Sequence, residues 1–299
     1  MQKETIAIHA GYNKKQGNGE MAVPISQTTA YAFRDSEHAA NLFALKELGP
    51  IYTRLTNPTT DVLEQRYAAL EGGAAAICTS SGQAASFYAV ANVAEAGDNI
   101  LISDKLYGGS VTLLTYTLKR FGIKTKVFKS DDASNLEELI DDKTKAIFFE
   151  SLSNPQIAIT DVEKVVEIAK KHGVLTICDN TVASAALFNP IAWGVDVVVH
   201  STSKYTNGQG TTIGGIVVER DGLAEFFKAN SNRYSHFTTP DESYHGLVYT
   251  DVPLPNFCLR IRLALLRDIG ATQSPHNSWL LIQTLETLGL RVDRHSENA

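Results

Sequence analysis

The fold of this chain is decided by residues 160–180, which read TDVEKVVEIAKKHGVLTICDN. The first part carries an apolar stripe at helical spacing. The stripe consists of Val162, Val165, Val166 and Ala169. Thr160 and Glu163 have the spacing of a capping box at the start of this helix, and Gly173 is placed to end it. The apolar run at 174–178 follows at once, so a helix is predicted to lead directly into a buried strand.

The same alternation of strand and helix continues on both sides of this stretch. Strands are predicted at residues 74–78, 99–102, 124–128, 145–149, 174–178, 195–199 and 215–218. Further helices are predicted at residues 82–94, 110–121 and 277–288, and between 128 and 145, where Ser134 and Glu137 would form a capping box. This order predicts an α/β fold with a mainly parallel sheet and helices on both faces. Residues 220–256 break the pattern and are predicted to form a long polar excursion.

Composition and charge exclude several classes of protein. With 43% hydrophobic and 20% charged residues, the chain has the composition of a globular protein with a substantial core. Its net charge of −6 argues against nucleic acid as a partner. The sequence has no apolar run long enough to span a bilayer, and residues 1–5 lack the apolar core of a signal peptide.

Cysteine and histidine usage narrows the choice further. Cys78, Cys178 and Cys258 are far apart and odd in number, so reduced thiols and a cytoplasmic location are predicted. The eight histidines show no paired ligand spacing, which argues against a metalloenzyme. A nicotinamide dehydrogenase is disfavoured because the dinucleotide fingerprint is absent.

A lysine and a carboxylate follow two strands that are predicted to be neighbours. Asp179 comes directly after one strand, and Lys204 lies just beyond the next, after Ser201 and Ser203. In such sheets ligands bind beyond the carboxyl ends of the strands. The set suits pyridoxal phosphate: Lys204 would hold it as a Schiff base, Asp179 would protonate its ring nitrogen, and the two serines would bind its phosphate. Singly, each residue has an ordinary alternative as a surface lysine, a turn aspartate or a loop serine.

Two other segments contain residue types that such a cofactor could use. Ser81, Gly82 and Gln83 open a predicted helix, where unpaired N–H groups and the helix dipole favour a phosphate. An ordinary helix cap is the alternative for this segment. Tyr107 follows a predicted strand and could stack on a flat ring, or serve as a packing residue.

Four more side chains complete the candidate set. Tyr52 and Arg54 offer a phenol and a guanidinium that could bind phosphate, although a surface arginine is the simpler interpretation. Glu150 and Asn154 follow another predicted strand and could contact the cofactor's phenolic oxygen or form a turn.

Together these motifs make the sequence similar to the Cys/Met-metabolism family of pyridoxal-phosphate enzymes. The segments that carry the resemblance extend over essentially the whole chain. They are residues 52–59, 81–85, 107–109, 150–155, 179–181, 200–205, 274–277, 285–288 and 294–295. The resemblance implies a fold-type I, aspartate-aminotransferase-like architecture. It also implies an N-terminal extended segment at 1–60 that contacts a neighbouring subunit, a cofactor-binding domain at 61–256, and at 257–299 the start of a C-terminal α/β domain that is incomplete here.

The resemblance also implies a role for each matching residue. Lys204, Asp179 and Tyr107 would be catalytic, with Tyr107 stacked on the ring and assisting the leaving group. Asn154 would contact the phenolic oxygen, with Glu150 nearby. The phosphate would be bound in the same subunit by the segments that hold Ser81, Gly82, Gln83, Ser201 and Ser203. Tyr52 and Arg54 would reach the phosphate of a neighbouring subunit, since the family forms tetramers of active dimers.

Within the family, residues 244–249 and 262–271 resemble the O-acetylhomoserine sulfhydrylase branch. The implied reaction replaces acetate at Cγ of an amino-acid ester by sulfide or a thiol and gives homocysteine or methionine. A methionine γ-lyase or a cystathionine γ-synthase-like enzyme is the alternative within the fold. A cofactor-binding interaction protein without turnover is the alternative from another class.

Overall fold

The computed structural model describes residues 2–16 and 19–299. Within these residues a seven-stranded sheet has the order β1-β7-β6-β5-β4-β2-β3. The strands are β1 (Ala75–Thr79), β2 (Asn99–Ser103), β3 (Lys124–Phe128), β4 (Thr144–Glu150), β5 (Leu175–Asp179), β6 (Val197–His200) and β7 (Gly215–Glu219). β7 runs antiparallel to both of its neighbours, and the other adjacent pairs are parallel. The mainly parallel α/β sheet predicted from the sequence is therefore confirmed.

Helices precede and follow most of the strands along the chain. They are α1 (Lys3–His9), α2 (Ser36–Phe43), α3 (Pro58–Glu71), α4 (Gly82–Ala91), α5 (Gly108–Thr112), α6 (Leu136–Leu139), α7 (Val162–His172), α8 (Ser184–Leu187), α9 (Leu223–Ala229), α10 (Ser235–Thr238), α11 (Asn256–Arg260), α12 (Arg267–Ile269), α13 (Pro275–Leu285) and α14 (Leu288–Asn298). A π-helical segment and a 3₁₀ turn extend α5 to Phe121, and a second π-helical segment joins α11 to α12. The helix predicted at 110–121 is thus present but irregular.

Each face of the sheet has its own apolar core, because side chains alternate along a strand. In β4, Ile147 and Phe149 pack in the core that α3, α7, α13 and α14 cover. Ala146 and Phe148 point to the other face and pack in the core that α4, α9 and α11 cover. Helices therefore lie on both faces, as predicted. All three cysteines are buried and unpaired, in agreement with the reduced thiols predicted from the sequence.

Two capping predictions are wrong. The N-cap of α7 is Asp161, whose carboxylate accepts a hydrogen bond from the Lys164 N–H at 3.1 Å. Thr160 does not cap this helix, because its hydroxyl donates to the carbonyl of Glu150 at 2.7 Å. In α6, a single turn, Asn135 stands at the N-cap and makes no side-chain cap bond, so the capping box predicted from Ser134 is not formed.

Two segments of the chain are more helical than the sequence pattern indicates. In the described part of the first 60 residues, which were expected to be extended, α1 and α2 are helical and Lys14–Gln16 forms a 3₁₀ turn. The polar excursion at 220–256 contains α9 and α10.

α13 packs on α3, where the hydroxyl oxygens of Thr60 and Ser278 are 2.9 Å apart. The division at residues 60 and 256 stays a prediction. Across the described ranges, every helix is too short or too polar to cross a membrane.

Candidate active site

The candidate residues gather where three parallel strands end. β4 ends at Glu150, β5 at Asp179 and β6 at His200, and Glu150 is paired in register with Asp179. Because parallel strands end at the same edge of a sheet, the loops that follow them meet there. Lys204 lies in the loop after β6, and Asn154 lies in the loop after β4.

Asp179 presents one engaged and one open carboxylate oxygen. Its Oδ1 accepts hydrogen bonds from the backbone N–H of Thr181 at 3.0 Å and from the Thr181 hydroxyl at 2.5 Å. No described residue donates to Oδ2. Burial raises the pKa of Asp179 above its ordinary value, and the bonds from Thr181 and the nearby His200 oppose that rise. The carboxylate is therefore fixed in orientation and keeps an oxygen free for a cationic partner.

Thr181 connects Asp179 to the lysine loop. The Thr181 hydroxyl donates to Asp179 and accepts a hydrogen bond from the Ser201 N–H at 2.8 Å. Sequence reasoning gave Thr181 no role, although a Thr two residues after an Asp is the pattern of a turn closed by the aspartate side chain. One hydroxyl thus sets the position of the Lys204 loop relative to the carboxylate.

The Lys204 side-chain amine has no polar partner among the described residues, and hydrogen bonds hold its loop in place. Its backbone N–H donates to the carbonyl of Ser201 at 3.3 Å. The side chain is exposed, and its Nζ makes no hydrogen bond or ion pair with any residue in 2–16 or 19–299. The Ser203 hydroxyl exchanges two hydrogen bonds with the backbone of Gly214, at 3.0 and 3.2 Å. Ser203, predicted to bind phosphate, therefore also holds the glycine-rich turn against the lysine loop.

The start of α4 forms a cradle with Ser201. Ser81 is the N-cap and accepts a hydrogen bond from the Ala84 N–H at 3.1 Å. The N–H groups of Gly82 and Gln83 have no hydrogen-bond acceptor among the described residues, as expected for the first turn of a helix. A Cβ on Gly82 would lie 2.5 Å from the Ser201 Cβ, so only glycine allows this approach. Unpaired N–H groups, a helix dipole and a serine hydroxyl together suit a phosphate.

Tyr107 lies next to this cradle. The Gln83 side-chain amide donates to the carbonyl of Gly109 at 3.0 Å, which joins the start of α4 to the start of α5. The Tyr107 ring packs so closely over Gly109 that a Cβ at position 109 would overlap it. The ring is 47% exposed and is available for stacking on a flat ligand.

Glu150 joins the Tyr107 loop to the Asn154 loop. Its Oε1 accepts a hydrogen bond from the Tyr107 N–H at 2.6 Å, and its Oε2 accepts one from the Asn154 N–H at 3.0 Å. Burial and the negative charge of Asp179 raise the pKa of Glu150 to about 7, against the effect of these two N–H donors. The Asn154 side chain is exposed, and the peptide bond between Asn154 and Pro155 is cis.

Tyr52 and Arg54 make no polar contact with the other candidates among the described residues. The guanidinium of Arg54 stacks on the Tyr52 ring at 5.1 Å, and both side chains are exposed. Within the part of the chain that the structure describes, neither side chain has a hydrogen bond or ion pair to the cradle, the lysine loop or Asp179. Hydrogen bonds and close contacts thus connect the other predicted site residues with one another, and these two have no polar contact with that set.

A buried hydrogen bond between His200 and Glu71 supports the end of β6. His200 Nε2 lies 2.6 Å from Glu71 Oε1, and both side chains are almost fully buried. The Tyr67 ring packs edge-on against His200 with 4.9 Å between ring centroids. The sequence gives no signal for this pair, because Glu71 belongs to α3, far from His200 along the chain.

The donor set fits pyridoxal phosphate. Lys204 offers a free amine for the aldehyde, Asp179 offers an open carboxylate oxygen for the ring nitrogen, and the α4 cradle offers unpaired N–H groups for the phosphate. The fold and this site together define a class, the α/β proteins that bind pyridoxal phosphate beyond their strand ends.

The comparison with known families makes the assignment specific. The chain belongs to the Cys/Met metabolism PLP-dependent enzymes, a family whose profile matches residues 4–299. A sulfhydrylase of Fusarium oxysporum f. sp. lycopersici is 48% identical over 297 residues, which cover 99% of this chain and 68% of the relative. An O-acetyl-L-homoserine sulfhydrylase of Leptospira meyeri is 46% identical, with the same two coverages.

A solved structure agrees with the family assignment. It is described as an O-acetylhomoserine (thiol)-lyase of Campylobacter jejuni and contains N'-pyridoxyl-lysine-5'-monophosphate. Its sequence is 54% identical, and it superposes with a TM-score of 0.97 over 100% of this chain and 74% of the other. The fold-type I assignment and the pyridoxal phosphate cofactor predicted from the sequence are both confirmed.

Proposed function

We propose that this chain carries O-acetylhomoserine sulfhydrylase activity, in which sulfide or a thiol replaces the acetate at Cγ of O-acetylhomoserine. The observation that carries the proposal is the 46% identity over 99% of the chain to an O-acetyl-L-homoserine sulfhydrylase. The products would be homocysteine from sulfide and methionine from methanethiol. The site is consistent with this chemistry, because it combines a free amine, a carboxylate and a tyrosine at one strand edge.

The cofactor would be held by the residues that converge at the strand ends. Gly82, Gln83, Ser81 and Ser201 would bind its phosphate, with Ser203 bracing the loop. Asp179 would face its ring nitrogen and Tyr107 would stack on its ring. Asn154 would contact its phenolic oxygen, since the side-chain amide is exposed and unpaired in the described residues.

Bound pyridoxal phosphate would supply an electron sink for the carbanion that forms when the substrate loses a proton next to its amino group. Lys204 would remove that proton from Cα and move protons at Cβ, since its Nζ makes no hydrogen bond or ion pair with any described residue. Asp179 would keep a proton on the ring nitrogen, because its orientation is fixed by Thr181 and its Oδ2 is open. Tyr107 would assist departure of acetate from Cγ, and the incoming sulfur would bond to the same carbon.

One assay tests the proposed reaction. The protein, saturated with pyridoxal phosphate, is incubated with O-acetylhomoserine and sulfide, and homocysteine and acetate are quantified together. Equal amounts of both products support the proposal. Release of ammonia and a keto acid, without homocysteine, would instead assign a γ-lyase. Absence of any product from a protein that binds the cofactor would refute both activities and favour a binding protein without turnover.

Tyr52 and Arg54 would act in a second copy of this chain. Both side chains are exposed and make no hydrogen bond or ion pair to the candidate site among the described residues, which supports a role in a neighbouring subunit. A dimer with two-fold symmetry would place each pair at the partner's site, and two dimers would form the tetramer predicted from the sequence.

Complementation between inactive variants tests this arrangement. Lys204→Ala and Arg54→Ala are co-expressed in equal amounts. If Arg54 acts across the interface, mixed dimers contain one intact site and restore about a quarter of the wild-type activity. If Arg54 acts within its own subunit, every site lacks one of the two residues and activity stays at the level of the single variants.

A further inference from the structure

Glu150 has both carboxylate oxygens committed to backbone N–H groups of two different loops. Oε1 accepts from Tyr107 at 2.6 Å and Oε2 from Asn154 at 3.0 Å, and the residue is only 3% exposed. We propose that Glu150 is a positioning residue that sets the separation between Tyr107 and Asn154, and that it does not itself touch the cofactor. The proposal rests on the proposed function only because Tyr107 and Asn154 are given roles in that reaction.

The location of Glu150 suits an anion that holds a loop in place. Tyr107 stands at the N-cap of α5, where the positive end of a helix favours a negative charge. The Tyr107 cap makes no side-chain bond of its own to the helix, so the carboxylate of Glu150 supplies the anchor from β4. The short distance to the Tyr107 N–H is typical of a hydrogen bond to a charged acceptor.

The two hydrogen bonds require a carboxylate rather than an amide. A glutamine has one acceptor oxygen and one donor nitrogen, so one backbone N–H would face another donor. An aspartate keeps the charge but is shorter by one methylene and cannot bridge both loops. Either substitution therefore releases one of the two loops, although they differ in charge.

The chain offers a matched control in Glu219. It ends β7, is 2% exposed, and accepts a hydrogen bond from the backbone N–H of Cys258 at the start of α11. Burial raises its pKa to about 7, as for Glu150. Because β7 runs antiparallel to its neighbours, Glu219 lies beside the first residues of β1 and β6. The candidate site lies at the other ends of the strands, where β4, β5 and β6 finish. Glu219→Gln thus repeats the same chemical change away from the candidate site.

The experiment compares Glu150→Gln, Glu150→Asp and Glu219→Gln with wild-type protein by two readouts of the bound cofactor. The dissociation constant is measured by titrating apoprotein with pyridoxal phosphate, and visible circular dichroism reports how the cofactor is oriented. Both Glu150 variants should raise the dissociation constant about tenfold and change the dichroism, because a loop whose backbone N–H has lost its acceptor no longer holds its side chain in place against the cofactor. Glu219→Gln should leave both readouts unchanged. If Glu150→Gln does not fold, Glu150→Asp decides.

A double-mutant cycle tests whether Glu150 acts through Tyr107. With O-acetylhomoserine and sulfide, Glu150→Gln should lower kcat about tenfold in the wild-type background and by a smaller factor in Tyr107→Phe, which keeps the backbone N–H and the Asn154 contact but lacks the hydroxyl. An equal loss in both backgrounds would overturn the proposal, as would cofactor readouts that are unchanged in the Glu150 variants or equally changed in Glu219→Gln. Wild-type protein without turnover would refute the proposed reaction, and the cofactor readouts would still decide the role of Glu150.

Discussion

Replacing Gly82 by alanine should disrupt the phosphate cradle. The new Cβ would lie 2.5 Å from the Ser201 Cβ, 2.8 Å from its Cα and 2.9 Å from its Oγ. Carbon atoms in contact are ordinarily about 3.5–4.0 Å apart, so α4 and the lysine loop must separate by about 1 Å. Overpacking of this kind costs about 1–3 kcal/mol in the free energy of unfolding. Separation also moves the Ser201 hydroxyl away from the helix N-terminus, so cofactor affinity should fall at least about tenfold.

Urea unfolding of the apoprotein and cofactor titration measure the two effects separately. Gly289→Ala is the control, because Gly289 is also in the first turn of a helix but a Cβ there would meet no atom within 4 Å. The control should keep the wild-type dissociation constant and lose no stability. If Gly82→Ala bound the cofactor as tightly as the control and unfolded at the same urea concentration, the cradle would be refuted.

Further substitutions test the roles of Asp179, Thr181 and Glu219. Asp179→Asn keeps an acceptor for Thr181 but removes the charge, so kcat should fall about 100-fold or more in steady-state assays while the protein stays folded. Thr181→Val removes the hydroxyl between Asp179 and Ser201 and should weaken cofactor binding about tenfold in the same titration, whereas Thr181→Ser should restore it. The pKa of Glu219 is raised by burial, despite the nearby Arg220, from 4.5 to about 7, so the folded protein holds this proton more tightly than the unfolded chain. Its stabilising contribution is complete below pH 4.5 and is lost as pH rises through about 7. Glu219→Gln should abolish that part of the decline in urea stability between about pH 5 and about pH 8, and an unchanged decline would contradict the assignment.

The sheet could be predicted because each strand is encoded locally. Strands such as β5 and β6 are short apolar runs between turn residues, and burial of both faces requires that pattern wherever the strand lies. The positions of Asp179 and Lys204 followed from the same logic, since residues after parallel strands share one edge. The cofactor was predicted from this set of side chains, and the resemblance to a family made the prediction specific.

The supporting contacts could not be predicted because they join residues far apart in sequence. Nothing in the sequence near Ser201 indicates that its N–H bonds to Thr181, or that Ser203 braces Gly214. The two carboxylate oxygens of Glu150 were predicted to be near the cofactor, and only the structure reveals the backbone donors that occupy them. The capping prediction at Thr160 is wrong because the Thr160 hydroxyl bonds to a strand carbonyl rather than to the helix.

The most direct test of the central claim is mass spectrometry of the protein after saturation with pyridoxal phosphate and reduction with borohydride. A pyridoxyl group on Lys204, and on no other lysine, is the predicted result, with Lys204→Ala as the control that should remain unlabelled. An unmodified Lys204 in native, fully loaded protein, or a pyridoxyl group at a different lysine, would contradict the account.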